Sequence, residues 1–315
     1  MSGCNPGASA GASVRGMPLL DGKVTIVTGA GRGLGRGEAL ELAREGAAVV
    51  VGEVDEAAGQ AVVDEIVAAG GTALLHVGDC SEVEAAQGIV DTAVQQLGRL
   101  DALVNNAGIL RDRTLVKMTA EEWDAVIQVH LRGHFAPTRA AVRHWRQEGR
   151  PGRVVCTAST SGILGNFGQS NYGAAKAGIA AFAQIVAQEN WTHGITVNAI
   201  CPAARTRMTE GAYGERLEGS ADAGFDFWHP DNVGPFVAYL CSDASSGISG
   251  KVFGVQGDTV ELYRPFTSEA FVQKGGARWT AQELAERVGE LFEATGIDPA
   301  AENGMARLRF SMTQR

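Results

Sequence analysis

The stretch Val24-Thr25-Ile26-Val27-Thr28-Gly29-Ala30-Gly31-Arg32-Gly33-Leu34-Gly35 decides the fold. Its first five residues are all β-branched, and a glycine-rich turn then leads into residues 36–44, which read as a helix. Outward from this unit the same order repeats. Short apolar runs at 47–51, 72–77, 102–104, 154–157, 195–200 and 252–255 alternate with helical stretches. Alternation of this kind implies βαβ units and a parallel sheet, and runs without polar alternation suit strands covered on both faces. The expectation is an α/β fold whose sheet is doubly wound, parallel and about seven strands wide. Helix starts are expected at Ser81-Glu82-Val83-Glu84, Thr119-Ala120-Glu121-Glu122 and Thr280-Ala281-Gln282-Glu283, where a hydroxyl and a carboxylate three residues apart can form a capping box.

After Gln256 the alternation stops. Leu284, Val288, Leu291 and Phe292 then recur at helical spacing. They define a C-terminal helical appendage, residues 263–315, expected to pack on a main domain of residues 17–262. The stripe reads as a packing face, with a subunit contact as the alternative. Residues 1–16 read as a flexible lead-in.

Composition narrows the function classes. With 45% hydrophobic residues, 20% charged residues and 42 glycines in 315, the chain belongs with folded globular proteins, which excludes wholesale disorder and collagen. A net charge of −9 without any basic run repels polyanions, so nucleic acid is not an expected partner. No apolar run approaches the ~18 residues that would span a bilayer, and no membrane span is expected. Cys4, Cys80, Cys156, Cys201 and Cys241 are scattered and form no CxxC pair. That pattern fits neither a disulfide framework nor a zinc knuckle and points to a reducing, cytoplasmic compartment. His76, His134, His144, His193 and His229 lack the spacing of metal ligands, so no metal is expected.

The glycine turn is suited to a pyrophosphate. Residues without Cβ are needed where the backbone bends sharply and where the phosphate approaches, and the following helix N-terminus supplies donors and partial positive charge. Gly29, Gly33 and Gly35 fit those tasks, with Arg32 and Leu34 inside the same turn. Glu53, 18 residues past Gly35 at the end of the second strand, can accept hydrogen bonds from ribose hydroxyls and would repel a 2′-phosphate. This favours NAD over NADP. Arg32 is the opposing signal, being able to pair with a 2′-phosphate, and Glu53 opening a solvated loop is the plain alternative. Asp79 and Cys80 follow the third strand, where the Asp79 carboxylate can accept from an adenine amino group. Asn105-Asn106-Ala107-Gly108 follows the fourth, so Asn106, Ala107 and Gly108 are expected to line the crevice.

The reacting groups are expected in Val154-Val155-Cys156-Thr157-Ala158-Ser159-Thr160-Ser161-Gly162 and in Tyr172-Gly173-Ala174-Ala175-Lys176. Tyr172 and Lys176 stand four apart on a helix and share a face. A phenol ordinarily titrates near ~10, and an adjacent cation stabilises the phenolate, bringing it toward the range useful for acid–base work. Ser159, thirteen residues before Tyr172, can hold the same substrate oxygen.

Taken in order, the glycine turn, Asn-Asn-Ala-Gly, Ser159 and Tyr-x-x-x-Lys resemble the short-chain dehydrogenase/reductase family across roughly residues 20–258. The resemblance implies a Rossmann fold and a general acid/base at Tyr172. It also implies substrate orientation by Ser159, and a Lys176 that contacts the nicotinamide ribose. It further implies a homodimer or homotetramer. Where the family usually has an asparagine that anchors a relay water, Val129-His130-Leu131-Arg132-Gly133 places His130, which either holds that water or is a satisfied core residue.

Val129-His130-Leu131-Arg132-Gly133, Gly165-Asn166-Phe167-Gly168-Gln169 and Thr206-Arg207-Met208-Thr209 look like the (3R)-hydroxyacyl-CoA dehydrogenase part of peroxisomal multifunctional enzyme type 2 and its bacterial relatives. Against that pattern, Pro202-Ala203 replaces the usual Pro-Gly, and the stretch to Met208 is one residue short, which bears on a carboxamide contact from Thr206. The leading reading is an NAD-dependent enzyme interconverting a secondary alcohol and a ketone on a 3-hydroxyacyl-CoA or a hydroxysteroid. A specificity loop over 205–228, with Met208, Tyr213, Phe225, Phe227 and Trp228 beside Arg205 and Arg207, suits an apolar body with an anionic tail. Ordinary lid packing explains those aromatics equally. The competing readings are an NADPH-dependent 3-oxoacyl reductase and a non-catalytic nucleotide-binding regulator.

Overall fold

The structure, a computed structural model, describes residues 18–206, 225–264, 266–301 and 304–307. Its strands are β1 (Val24–Thr28), β2 (Ala48–Glu53), β3 (Thr72–Val77), β4 (Ala102–Asn105), β5 (Gly152–Thr157), β6 (Ile195–Ala203), β7 (Val252–Gln256) and β8 (Thr259–Tyr263). They form one sheet in the order β3-β2-β1-β4-β5-β6-β7-β8, in which neighbours pair in parallel except β7 with β8. The helices are α1 (Gly33–Arg44), α2 (Glu56–Ala68), α3 (Val83–Leu97), α4 (Ala120–Ile127), α5 (Gly133–Glu148), α6 (Thr160–Leu164), α7 (Ser170–Asn190), α8 (Gly234–Cys241), α9 (Ala281–Arg287) and α10 (Gly289–Thr295).

The apolar runs explain the two-sided core. Successive strand residues point to opposite faces. Thus Val50, Val154 and Cys156 pack with Ile89, Trp145 and Ile179 of α3, α5 and α7. Val49, Val51 and Val155 pack instead with Leu42, Ile66 and Leu240 of α1, α2 and α8. The chain order reverses between β1 and β4, which opens a crevice at the strands' C-terminal ends, where ligands of such sheets bind.

Two local expectations are corrected. The sheet does not end with β7: a tight turn at Gly257, whose φ is +51°, returns the chain as an eighth strand, the antiparallel β8. An edge strand covered on one face has no continuous apolar run, and Val260 and Leu262 face outward, 49% and 64% exposed. The capping box at Ser81 is also absent. Asp79 Oδ1 accepts the Ser81 N–H at 2.9 Å, a local turn that takes that donor, and α3 starts at Val83 with Glu82 in the N-cap position and no side-chain cap among the described residues. Thr119 and Thr280 do form their boxes.

Candidate active site

Glycines bring the β1 and β4 turns together. Gly29 has φ +62°, and a Cβ there would lie 2.7 Å from the Ala107 Cα. A Cβ on Gly35 would collide with the Gly29 carbonyl oxygen and Asn106 Nδ2. The two turns are stapled by hydrogen bonds: Asn106 Nδ2 donates to the Thr28 and Gly29 carbonyls at 3.1 Å, and Thr28 Oγ1 accepts the Asn106 and Ala107 N–H groups at 3.1 and 3.3 Å. Gly33, φ +57°, lies under Thr206, whose methyl would be 3.7 Å from a Cβ at that glycine. Leu34 packs into the adjoining core. The first turn of α1 has neither a side-chain cap nor an acidic residue among the described residues, so its donors remain available to a phosphate. This cradle fits a dinucleotide.

At the tip of β2 the Glu53 carboxylate is held by three backbone donors: Gly31 N–H to Oε2 at 2.8 Å, and Val54 and Asp55 N–H to Oε1 at 2.9 and 3.2 Å. Arg32 pairs with Asp55 at 2.5 Å. That guanidinium, with the Ala58 N–H, keeps the Asp55 carboxyl below its usual range. Asp79 is exposed beyond β3, whereas Cys80 turns its sulfur into the core, where burial pushes the thiol up to about 12.

The residues expected to react follow β5 and open α7. Ser159 caps α6, its Oγ accepting the Ser161 N–H at 3.2 Å. α6 lies directly on α7: a Cβ on Gly162 would be 2.6 Å from the Lys176 carbonyl carbon, and one on Gly173 would be 3.2 Å from the Ser161 carbonyl oxygen. These two glycines join the helix that follows Ser159 to the turns that carry Tyr172 and Lys176. Sequence reading missed both, although the small residue after Ser161 and after Tyr172 was the available signal. Lys176 is 2% exposed, donates from Nζ to the Thr157 carbonyl at 2.5 Å, and sits 5.5 Å from the centre of the Tyr172 ring. Burial draws its amine down to about 7. Asn171, also unforeseen, accepts the Tyr172 N–H at 2.7 Å and donates to the Arg111 carbonyl at 3.0 Å, fixing the start of α7.

His130 lies in a π-helical turn, Gln128–Arg132, between α4 and α5. Its ring stands edge-on to Tyr172, with centroids 5.2 Å apart, and is capped by Gly108, where a Cβ would strike the ring. Nε2 is 2.7 Å from the Ile109 carbonyl oxygen and 3.0 Å from the Ile109 nitrogen, while Nδ1 is buried without a partner among the described residues. Burial, and then the Lys176 charge, push this imidazole down to about 3, so it is neutral. Behind the sheet, α1 buries Glu38 completely, with neither carboxyl oxygen hydrogen-bonded among the described residues, and burial raises it to about 8.

In the stretch expected to set specificity, Phe227 and Trp228 pack edge to face at 4.7 Å, and Arg205 forms an ion pair with Asp226. Arg207, Met208 and Tyr213 lie outside the described residues, as do residues 1–17 with Cys4.

The sequence profile of the short chain dehydrogenase family matches residues 23–215. Hydroxyacyl-CoA dehydrogenase ChsB1 of Mycobacterium tuberculosis is 44% identical over 292 residues, 89% of this chain and 91% of that protein. Peroxisomal multifunctional enzyme type 2 of Drosophila melanogaster is 39% identical over 88% of this chain, which spans 48% of that longer protein. A solved short chain dehydrogenase from Mycobacterium avium superposes with a TM-score of 0.80 at 43% identity, covering 88% of this chain and 97% of the other.

Proposed function

The chain belongs to the short chain dehydrogenase family, and from that premise we propose that it interconverts a secondary alcohol and a ketone with NAD, acting on a 3-hydroxyacyl-CoA. The observation that carries this reading is the joining of Ser159, Tyr172 and Lys176 through the glycine contacts of α6 with α7, beside a glycine cradle that fits a dinucleotide.

The nicotinamide ring, when bound, supplies the two-electron acceptor or donor. Tyr172 takes the hydroxyl proton at its phenolic oxygen in the oxidative direction and returns it in the reductive one. Ser159 Oγ holds the same substrate oxygen and fixes its direction. The Lys176 ammonium favours the phenolate, and because burial brings that amine to about 7 it can itself hand on a proton near neutrality. His130 Nδ1, not engaged by protein among the described residues, is the ring atom available to a proton relay.

Glu53 supports NAD: a carboxylate at the tip of β2 suits ribose hydroxyls and opposes a 2′-phosphate. Arg32, the adjacent cation, is taken by Asp55. Asp79 and the Cys80 backbone are assigned to the adenine end, and Thr206 to the carboxamide. The catalytic unit is residues 17–262, with 263–315 as its appendage, and a homodimer or homotetramer in a reducing, cytoplasmic compartment is the proposed setting. Cys80, Cys156, Cys201 and Cys241 are all buried and free. Among the described residues no helix is long and apolar enough to cross a membrane.

The test has two parts. Hydroxyacyl-CoA esters are screened against hydroxysteroids with NAD, following absorbance of the reduced ring. Turnover of esters is the expected result, steroid turnover alone moves the substrate to the second class, and no turnover of either defeats the reading. NADH and NADPH quenching of tryptophan fluorescence are then compared, and tighter NADPH binding reverses the cofactor assignment.

A further inference from the structure

His134 takes no part in the chemistry above, yet it is 1% exposed and lies in the first turn of α5 among the reacting residues. Both of its nitrogens are engaged by backbone. Nδ1 is 2.7 Å from the His130 carbonyl oxygen, and Nε2 is 3.2 Å from the Thr157 nitrogen, whose hydrogen it accepts. A carbonyl only accepts and a peptide N–H only donates, so the ring is the neutral Nδ1–H tautomer. A second proton, on Nε2, would turn from the Thr157 N–H to the Asn105 carbonyl and end the bond to Thr157. Burial, and then the Lys176 charge, hold the imidazole well below its ordinary range, in keeping with that tautomer.

Each backbone partner leads to a reacting group. The Thr157 carbonyl receives the Lys176 ammonium at 2.5 Å, and the His130 ring packs on Tyr172. His134 therefore braces the end of β5, which aims the acceptor for the lysine, against the π-helical turn that supports the tyrosine. A buried polar ring with both nitrogens satisfied is rigid.

We propose that His134 is a positioning residue for the Lys176–Tyr172 pair, its bond to the Thr157 N–H keeping the Thr157 carbonyl aimed at the lysine Nζ. The proposal rests on the alcohol–ketone reading for its kinetic test alone. Lys176 is faced by Glu38 from α1, Cys156 from β5, Cys201 from β6, His130 from the π-helical turn, His134 from α5 and Tyr172 from its own helix. Burial pushes the thiols of Cys156 and Cys201 up to about 12, raises Glu38 and lowers Lys176, so Lys176 and Glu38 are the two of these groups that change charge around neutrality.

Two half-conservative variants separate the two bonds. His134→Gln keeps an acceptor at the ε position for Thr157 and loses the donor to His130, whereas His134→Asn keeps the donor and loses the acceptor. The Lys176 titration is followed by NMR of 13C-labelled lysine in the intact protein, and kcat and KM by NAD-linked turnover. For His134→Asn the expected result is a Lys176 midpoint lower by about half a unit, because its charged form has lost an aimed acceptor, with kcat down about tenfold at unchanged KM. For His134→Gln the expected result is a midpoint unmoved and kcat within about twofold of the parent. Equal effects of the two variants, or an unmoved midpoint in both, overturn the proposal. A measurement on the unaltered protein covers the case in which a variant does not fold: 15N NMR of its histidines must show His134 as the neutral Nδ1–H tautomer from pH 5 to 9. An Nε2–H tautomer or a protonated ring in that range also overturns it. Failure of turnover in the parent enzyme removes the alcohol–ketone reading but leaves both NMR results able to decide the role of His134.

Discussion

α7 and the α9–α10 pair both carry apolar residues at helical spacing, yet they end in opposite surroundings. α7 buries Asn171, Ala175, Lys176, Ile179, Ala180, Ala183, Ala187 and Asn190 against the sheet. α9 and α10 bury no described residue, and Leu284 and Val288 of the expected stripe stay 37% and 44% exposed. Beyond Tyr263, among the residues whose burial is described, Gly304 is the one buried, pressed on the Leu164 carbonyl at the end of α6. Helical periodicity says that a face exists. Whether that face is covered depends on a surface elsewhere in the chain, and α7 finds one because β5 and β6 pair beside it. The same burial removes water from Lys176, so the packing of α7 and the chemistry of its lysine have one cause.

The contrast can be tested from its strong end to its weak one. Tyr172→Phe removes the oxygen proposed to carry the proton and keeps the ring; kcat should fall about a thousandfold or more while NADH still quenches tryptophan fluorescence. Turnover near the parent rate would detach α7 from the chemistry. Gly162→Val places a branched side chain against the backbone of Lys176 and Ala177, so α6 must move and Ser159 with it. A loss of about 2–3 kcal/mol in urea denaturation, with kcat reduced more than KM is raised, is the expected result.

A third test concerns the cost of burying charge behind α7. Glu38 rises from 4.5 in the unfolded chain to about 8 when folded, so its contribution to stability is complete below pH 4.5 and lost as pH climbs through 8. Lys176 falls from 10.5 to about 7, so its contribution is complete above pH 10.5 and lost as pH drops through 7. Glu38→Gln removes only the first dependence. Its unfolding free energy in urea should exceed that of the parent by a margin that widens from pH 6 to pH 9, reaching about 1–3 kcal/mol, and a margin independent of pH would contradict the buried neutral acid. The smallest effect belongs to the tail: Leu284→Ser with Val288→Ser should change stability by less than about 0.5 kcal/mol, since neither side chain leaves a packed site. A loss of several kcal/mol would show that this stripe is covered in solution.

The legible parts of the site were those whose partners lie close in sequence. The turn at Gly29, Gly33 and Gly35 carries its own reason, because a glycine and a following helix start are visible side by side. Tyr172 and Lys176 share a face by helical spacing alone. His134 stands four residues from His130 and was set aside for want of metal-ligand spacing. Its other partner, Thr157, is 23 positions away and belongs to a different element. Gly162 and Gly173 looked like punctuation until their helices were seen in contact. β8 was missed because an edge strand with an exposed face lacks the unbroken apolar run used to find the others.

From the chain alone came the two-faced strands, the phosphate turn, the Ser159, Tyr172 and Lys176 set, and the acid at Glu53, since each depends on residue chemistry and short-range spacing. Tertiary structure alone decided which apolar faces were covered, that His134 braces Thr157 against His130, and that Lys176 titrates near neutrality. Those outcomes depend on how completely water is excluded and on which backbone groups meet, and both are set by elements distant in sequence.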